Sequence, residues 1–188
     1  MKVIIDTSSL LSLVRYYLPF DQNTILYDFV KSEVSNGNLI IIDAVFEECE
    51  YTTQGLVLKS LDYLTDKEFK KNFKLPIRTK DLLPPSSKKF YNLLNHNFRT
   101  PLSRRLNDAE FEERKKEFLE TADARMIILA LIKKSANEEI AIVTEETETG
   151  NDHKAFKKIP ALCKILDIKV MALPDLLKVY QGIAIEFK

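Results

Sequence analysis

Three short apolar runs in this chain each end at, or just before, an acidic residue. A continuously apolar run of this length is typical of a strand that is covered on both faces, as in a parallel sheet. Strands of this kind that alternate with helices predict an α/β fold. The three pairs of run and acid are residues 2–5 with Asp6, residues 39–42 with Asp43, and residues 140–143 with Glu145 and Glu146.

The remaining pattern adds one strand and several helices. Residues 168–171 form a fourth apolar run, and Thr7, Ser8 and Ser9 offer hydroxyls that can cap a helix after the first strand. Proline at position 160 suits the first turn of a helix, where its missing N–H costs nothing. The other helices are predicted at residues 23–35, 44–51, 121–136, 160–166 and 173–181.

The segment from residue 55 to residue 120 does not follow this alternation. It has helical stretches, four prolines and no convincing strand. Residues 65–90 contain eight basic and three acidic residues, and residues 103–120 alternate in charge as on a solvated helix face. We therefore predict that residues 1–188 form a single domain and that residues 55–120 are a helical insertion within it.

Composition narrows the chemistry that this domain can perform. The chain is 45% hydrophobic and carries 28 basic and 28 acidic residues, which excludes a polybasic mode of binding for the molecule as a whole. Two distant cysteines and two histidines exclude a disulfide framework and a zinc site built from thiolates or histidines. Carboxylates are therefore the only plentiful metal ligands.

The sequence gives no sign of export or of membrane insertion. The opening MKVIIDTSSLL has an acid at its sixth position and no long apolar core, so we do not expect a secretory signal. No apolar run approaches the ~20 residues of a membrane span. We therefore expect a cytoplasmic protein without a membrane partner.

Acidic residues are expected to meet at one edge of the predicted sheet, because ligands of open parallel sheets bind outside the carboxyl ends of the strands. No basic residue of the sequence pattern neutralises this cluster, so a bound divalent ion is the natural counter-charge, and all-oxygen ligation selects Mg²⁺ or Mn²⁺. Such an ion can activate water for attack on a phosphodiester. The four predicted ligands are Asp6, Glu48, Asp123 and Glu146.

Each of these acids also has an ordinary structural explanation. Asp6 and Asp43 can cap the helices that follow them, and for Asp43 the cap is the better interpretation. Asp123 is favoured near a helix N-terminus in any protein. Glu145 lies beside Glu146 and is an alternative to it. The arrangement of the acids, and not any one of them, favours a site.

Four sequence segments resemble the PIN-domain family of metal-dependent nucleases, which includes the VapC-type toxins. They are VIIDTSSLL, IIIDAVFEECE, TADARMIILALIKK and AIVTEETETG. The tail KKIPALCKILDIKVMALPDLL is similar to a group of longer PIN-like proteins of bacteria and phages. The resemblance implies a three-layer α/β/α sandwich with a mainly parallel central sheet, and Mg²⁺- or Mn²⁺-dependent cleavage of RNA.

Carried onto this chain, the resemblance assigns metal-binding and catalytic positions to Asp6, Glu48 and Asp123. Glu146 takes the fourth position, where the family usually has Asp. Residues Ser8, Thr144 and Glu145 would contact these ligands, rather than the metal, and orient them. The resemblance also implies an RNA substrate, an antitoxin protein if the chain is the toxin of a pair, and a homodimer, although no residue pattern identifies an interface.

Three lysines after the third strand, Lys154, Lys157 and Lys158, are placed to contact a nucleic-acid backbone. Other enzyme classes fit poorly, because the turn after the first strand has no glycine for a dinucleotide site and the chain has no phosphate-binding loop of the GxxxxGK[ST] type. A catalytically degraded PIN-like scaffold that binds RNA or protein stays open as the alternative to a nuclease.

Overall fold

The computed structural model describes residues 1–148 and 154–180 and has an α/β architecture around one parallel sheet. The strand order is β2-β1-β3-β4, and every pair of neighbours is parallel. β1 lies in the centre, with Ile4 opposite Ile40 on one side and Ile142 on the other. The strands are β1 (Lys2–Ile5), β2 (Leu39–Ile40), β3 (Ile140–Val143) and β4 (Lys169–Met171).

Helices cover the sheet on both faces and give a three-layer α/β/α sandwich. Successive side chains of a strand point to opposite faces, yet every residue of β3 is buried. The described helices are α1 (Thr7–Ser12, continued by a π-helical turn Leu13–Tyr17), α2 (Ile25–Ser35), α3 (Asp43–Tyr51), α4 (Leu56–Ser60), α5 (Lys67–Phe73), α6 (Ser87–His96), α7 (Asp108–Glu120), α8 (Ala122–Ser135), α9 (Ile159–Leu166) and α10 (Leu173–Val179).

The strands and helices predicted outside the middle segment lie within about two residues of their expected bounds. β2 is shorter than its apolar run, because residue 42 leaves β2 and forms an isolated parallel bridge with Ile77. Asp43 N–H donates to the Ile77 carbonyl at 2.9 Å, and Ile77 N–H donates to the Ile41 carbonyl at 3.0 Å. The middle segment thus contributes a single bridged residue beside β2, and it forms no strand within residues 55–120.

The middle segment, residues 55–120, is otherwise mostly helical and contributes to the same hydrophobic core as the sheet. Nine of its aromatic and aliphatic side chains are almost fully buried there, and α7 packs against α8. A short antiparallel contact joins residue 99 to residue 156. The buried side chains are Val57, Leu61, Tyr63, Leu64, Phe90, Leu94, Phe98, Phe111 and Phe118.

The strand order creates a crevice at the carboxyl ends of β1 and β3. The chain leaves β1 towards β2 on one side of the sheet and leaves β3 towards β4 on the other side. Connections that diverge between two adjacent parallel strands open a crevice in which ligands of such sheets bind. Among the helices of the described residues, none combines the length and the apolar character that crossing a membrane requires.

Candidate metal centre

Asp6 lies at the centre of this crevice, directly after β1, and is only 7% exposed. Its backbone N–H donates to the Val143 carbonyl at 2.9 Å, which ties the end of β1 to β3. Its Oδ2 atom accepts hydrogen bonds from Ser8 Oγ at 2.6 Å and from Thr144 Oγ1 at 2.9 Å. The two hydroxyls therefore fix the orientation of the carboxylate.

Each of these hydroxyls also accepts a hydrogen bond from the loop that follows β3. Glu145 N–H donates to Ser8 Oγ, and Glu146 N–H donates to Thr144 Oγ1, both at 3.1 Å. Thr144 is 2% exposed. Ser8 and Thr144 thus bridge Asp6 to the backbone that carries the two glutamates.

Glu48 reaches the crevice from α3. Although the residue as a whole is exposed, its Oε2 atom accepts a hydrogen bond of 2.5 Å from the hydroxyl of buried Thr7. Burial of the carboxylate raises the pKa of Glu48, and the negative charge of Asp6 adds to this, while Thr7 and the positive charge of Lys154 oppose it. Glu48 therefore lies within electrostatic range of both Asp6 and Lys154.

Asp123 enters from the first turn of α8, a helix whose N-cap residue Thr121 accepts a hydrogen bond from Ala124 N–H at 3.3 Å. Burial, followed by the charges of Glu146, Asp6 and Glu48, raises the pKa of Asp123 from 3.8 to about 7. The charge of Lys154 acts in the opposite direction. Four carboxylates from four different elements are thus close enough to repel one another.

Glu145 and Glu146 occupy different environments. The Oε1 atom of Glu145 accepts from Leu173 N–H at 2.8 Å, at the start of α10, and lies 3.5 Å from Ser9 Oγ. Glu146 Oε2 accepts from Ile159 N–H at 3.2 Å, at the start of α9, and its charge reaches Asp123. Glu146 is therefore the glutamate that faces the other acids, while Glu145 connects β3 to α10.

Asp43 ends the equivalent run after β2 but lies outside this group. Its carboxylate accepts hydrogen bonds from Ala44 N–H at 3.0 Å, from Thr79 N–H at 2.9 Å and from the Thr79 hydroxyl. Burial opposes ionisation, but these hydrogen bonds and the charge of Arg125 outweigh it and lower the pKa of Asp43. Asp43 is the first residue of α3 and joins that helix to the middle segment.

The basic residues predicted to contact nucleic acid also lie near the crevice. Lys154 and Lys157 line a cleft that Asp123 also lines. Lys158 is half-buried and occupies the position before the first turn of α9. Of the three, Lys154 is the one whose charge acts on both Asp123 and Glu48.

The donor set fits a hard divalent cation in its chemistry, since it consists of carboxylate oxygens that mutual repulsion keeps at high energy. As the side chains are placed, no three Asp, Glu, His or Cys residues within residues 1–148 and 154–180 form a group that could hold a metal ion. Thr7 and Ile159 instead hold Glu48 and Glu146 by hydrogen bonds. To bind a metal ion, the carboxylates of Glu48 and Glu146 would therefore have to give up these hydrogen bonds.

Sequence reasoning missed the role of Thr7 and the two backbone donors. Thr7 was expected to cap a helix, but Asp6 occupies the N-cap position of α1, and the Thr7 hydroxyl bonds Glu48 instead. The N–H groups of Ile159 and Leu173 belong to helix starts that lie far from β3 in sequence. The only sequence signal for the role of Thr7 was that its hydroxyl directly follows Asp6 at the end of β1. That position is equally typical of a residue that caps a helix.

Sequence comparisons add a family to this geometry. A comparison with curated proteins found no match. A family model described as a domain of unknown function matches residues 88–182, just over half of the chain. The matched span begins in α6 and includes Asp123, Glu146 and Lys154, whereas Asp6 and Glu48 precede it. The chain therefore belongs to the family of the domain of unknown function DUF4411.

Proposed function

We propose that this protein is a Mg²⁺- or Mn²⁺-dependent nuclease that hydrolyses phosphodiester bonds of RNA in the cytoplasm. The observation that supports this most is that burial and the charges of Glu146, Asp6 and Glu48 together raise the pKa of Asp123 to about 7 at the crevice between β1 and β3. A group of acids this close together lowers its energy by binding a cation. The sequence resemblance to metal-dependent nucleases points to the same chemistry.

In this proposal the four carboxylates would hold the ion, and the chain's other residues orient them. When bound, the ion supplies a lowered pKa for a coordinated water and neutralises phosphate charge. Ser8 and Thr144 keep Asp6 turned towards the crevice, because both of their hydroxyls donate to its Oδ2 atom. Glu145 holds the loop after β3 against α10, which keeps Glu146 beside Asp123.

Lys154 has a separate task in this scheme. It is exposed and close enough to Asp123 and Glu48 for its charge to oppose the rise in the pKa of both. A cation at this position can attract the phosphate of a substrate and stabilise the negative charge that develops on it during attack. The predicted antitoxin and homodimer remain predictions that rest on the sequence resemblance.

The test is cleavage of labelled single-stranded RNA, structured RNA and single-stranded DNA by the purified protein in Mn²⁺, in Mg²⁺ and in EDTA. We expect cleavage of RNA that requires the metal and that falls at least about 100-fold in the double variant Asp6→Asn/Asp123→Asn, because two of the four ligands lose their charge. Asp43→Asn is the matched control and should cleave at the wild-type rate.

Two results would count against the proposal. Equal cleavage by wild type and the Asp6→Asn/Asp123→Asn variant would identify a contaminating nuclease. Absence of cleavage together with absence of Mn²⁺ binding would favour the degraded scaffold, in which the same crevice has lost its chemistry.

A further inference from the structure

A cleft beside the carboxylates extends the candidate site towards the middle segment. It lies between α7, the chain around Leu102 and Leu106, and the segment 154–157, and Asp123 is one of its lining residues. Its volume is about 410 Å³, within the roughly 300–1,000 Å³ typical of small-molecule sites. Because Asp123 belongs to both, the cleft lies beside the carboxylate crevice.

The cleft has an apolar interior. Phe118 and Phe156 stack with ring centroids 4.6 Å apart and are almost fully buried beneath it. Leu102, which is 39% exposed, and half-buried Leu106 supply apolar surface that solvent can reach. A flat apolar group, such as an unstacked nucleobase, would remove this surface from water.

The rim of the cleft is cationic. Arg114, Lys154 and Lys157 line it, and the one acid of its α7 wall, Glu117, forms an ion pair with Arg114 at 2.8 Å. Arg114 is 59% exposed, so its guanidinium can turn to a second acceptor at little cost. The cations complement phosphate groups, whereas an apolar ligand without charge would leave them unused.

The lysines stand on a segment that the middle segment holds in place. Thr100 N–H donates to the Ala155 carbonyl at 3.0 Å, and Lys157 N–H donates to the Phe98 carbonyl at 2.9 Å. The Thr100 hydroxyl also donates to the Lys154 carbonyl at 2.8 Å. The middle segment therefore builds both walls of the cleft, through α7 and through this antiparallel contact.

We propose that this cleft binds one unpaired nucleotide of the RNA substrate next to the scissile phosphate. The base packs against Leu102 and Leu106, and Arg114 and Lys157 contact its flanking phosphates. The nucleotide must be unpaired, because bases in a duplex do not expose a face to such a cleft. This inference rests on the proposed nuclease function and gives residues 98–120 a role in substrate binding.

The first test measures binding of a fluorescent single-stranded RNA, by anisotropy across a salt series, to protein that carries Asp6→Asn so that the RNA stays intact. We expect Arg114→Ala/Lys157→Ala to weaken binding by about tenfold or more and to reduce the slope of log K against log salt by about 1.4, or about 0.7 for each lost phosphate contact. The matched control, Lys116→Ala/Lys164→Ala, removes two exposed cations outside the cleft and should change affinity less than twofold.

A second test examines the apolar surface in the active protein. Leu102→Glu should raise KM for RNA cleavage by about fivefold to tenfold and shift the cleavage positions, because a carboxylate repels the nucleotide. Leu83→Glu is its control, since Leu83 is 70% exposed and does not line the cleft. Circular dichroism and thermal unfolding confirm that both variants are folded.

The two proposals fail in different ways. Suppose that wild type cleaves RNA but the cleft variant Arg114→Ala/Lys157→Ala binds RNA as tightly as its control. The cleft proposal is then overturned and the nuclease proposal stands. A cleft that binds a peptide would give this result. If wild type cleaves nothing while the two double variants still differ in RNA binding, the cleft binds RNA and the nuclease proposal fails.

Discussion

The ends of β1 and β2 look alike in sequence and differ in the folded protein. Each strand is an apolar run that ends in an aspartate at the start of a helix. Asp6, after β1, is fixed by two hydroxyls through one oxygen and lies among other carboxylates. Asp43, after β2, receives hydrogen bonds on both oxygens from Ala44 and Thr79. A strand-ending acid is therefore a site candidate only where the fold leaves its carboxylate without a full set of protein donors.

The comparison also has an electrostatic side. Burial and nearby carboxylates raise the pKa of Asp123 at the β1–β3 crevice, whereas at the end of β2 the hydrogen bonds from Thr79 and Ala44 overcome burial and lower the pKa of Asp43. The first environment destabilises a negative charge and the second stabilises it. A cation bound at the crevice would therefore offset the repulsion between its carboxylates.

The largest expected effect is on the pH dependence of the free energy of unfolding, which wild type should show and Asp123→Asn should lack. Because the folded pKa of Asp123 is about 7 and its ordinary value is 3.8, the folded state binds more protons than the unfolded state between these values, so stability falls as pH rises through this window. The loss is about 4 kcal/mol at most. Urea unfolding in EDTA at pH 4.5 and pH 8 measures it, and a loss of the same size in Asp123→Asn would refute the assignment.

The matched substitution at the end of β2 should act in the opposite direction. Asp43→Asn places an NH₂ group opposite a backbone N–H and should lower the free energy of unfolding at pH 7 by about 2–3 kcal/mol. Because the pKa of Asp43 is lowered, its contribution is present above the ordinary pKa and is lost as pH falls through the folded value. Urea unfolding at pH 7 is the measurement, and a stability equal to that of wild type would show that the Thr79 contacts carry no weight.

The smallest of the three effects concerns the orientation of Asp6. Thr144→Val keeps the shape of a buried side chain but removes the hydroxyl that donates to Asp6 Oδ2. We expect metal-dependent cleavage to fall about tenfold, as for other groups that orient metal ligands. Thr79→Val removes the corresponding hydroxyl at Asp43 and should leave the cleavage rate unchanged. Equal loss in both variants would mean that stability, and not orientation, limits activity.

The sequence allowed much of the fold to be predicted, because the spacing of apolar residues along the chain distinguishes strands from helices. The apolar run at residues 140–143 and the helix at residues 121–136 appear in the structure almost as expected. The pairing of residue 42 with Ile77 was not predictable, because a single extended residue in a proline-containing segment has no period to detect.

For the candidate site, the sequence allowed residues to be proposed but not the contacts that those residues make. Topology brings the ends of β1 and β3 together, so the sequence could suggest that Asp6, Asp123 and Glu146 converge. Whether an acid is satisfied depends on partners distant in sequence, such as Thr79 for Asp43 and Thr144 for Asp6. Tertiary packing brings these partners together, and local sequence patterns do not predict tertiary packing.

The most direct test of the central claim is Mn²⁺ binding at pH 7.5, measured by titration calorimetry on wild type, Asp6→Asn/Asp123→Asn and Asp43→Asn. We expect wild type and Asp43→Asn to bind Mn²⁺ with equal affinity and stoichiometry, and the double variant to bind it at least about 100-fold more weakly, because two carboxylates of the crevice lose their charge. Equal Mn²⁺ binding by all three proteins, or by none, would contradict the assignment of the β1–β3 crevice as a metal centre.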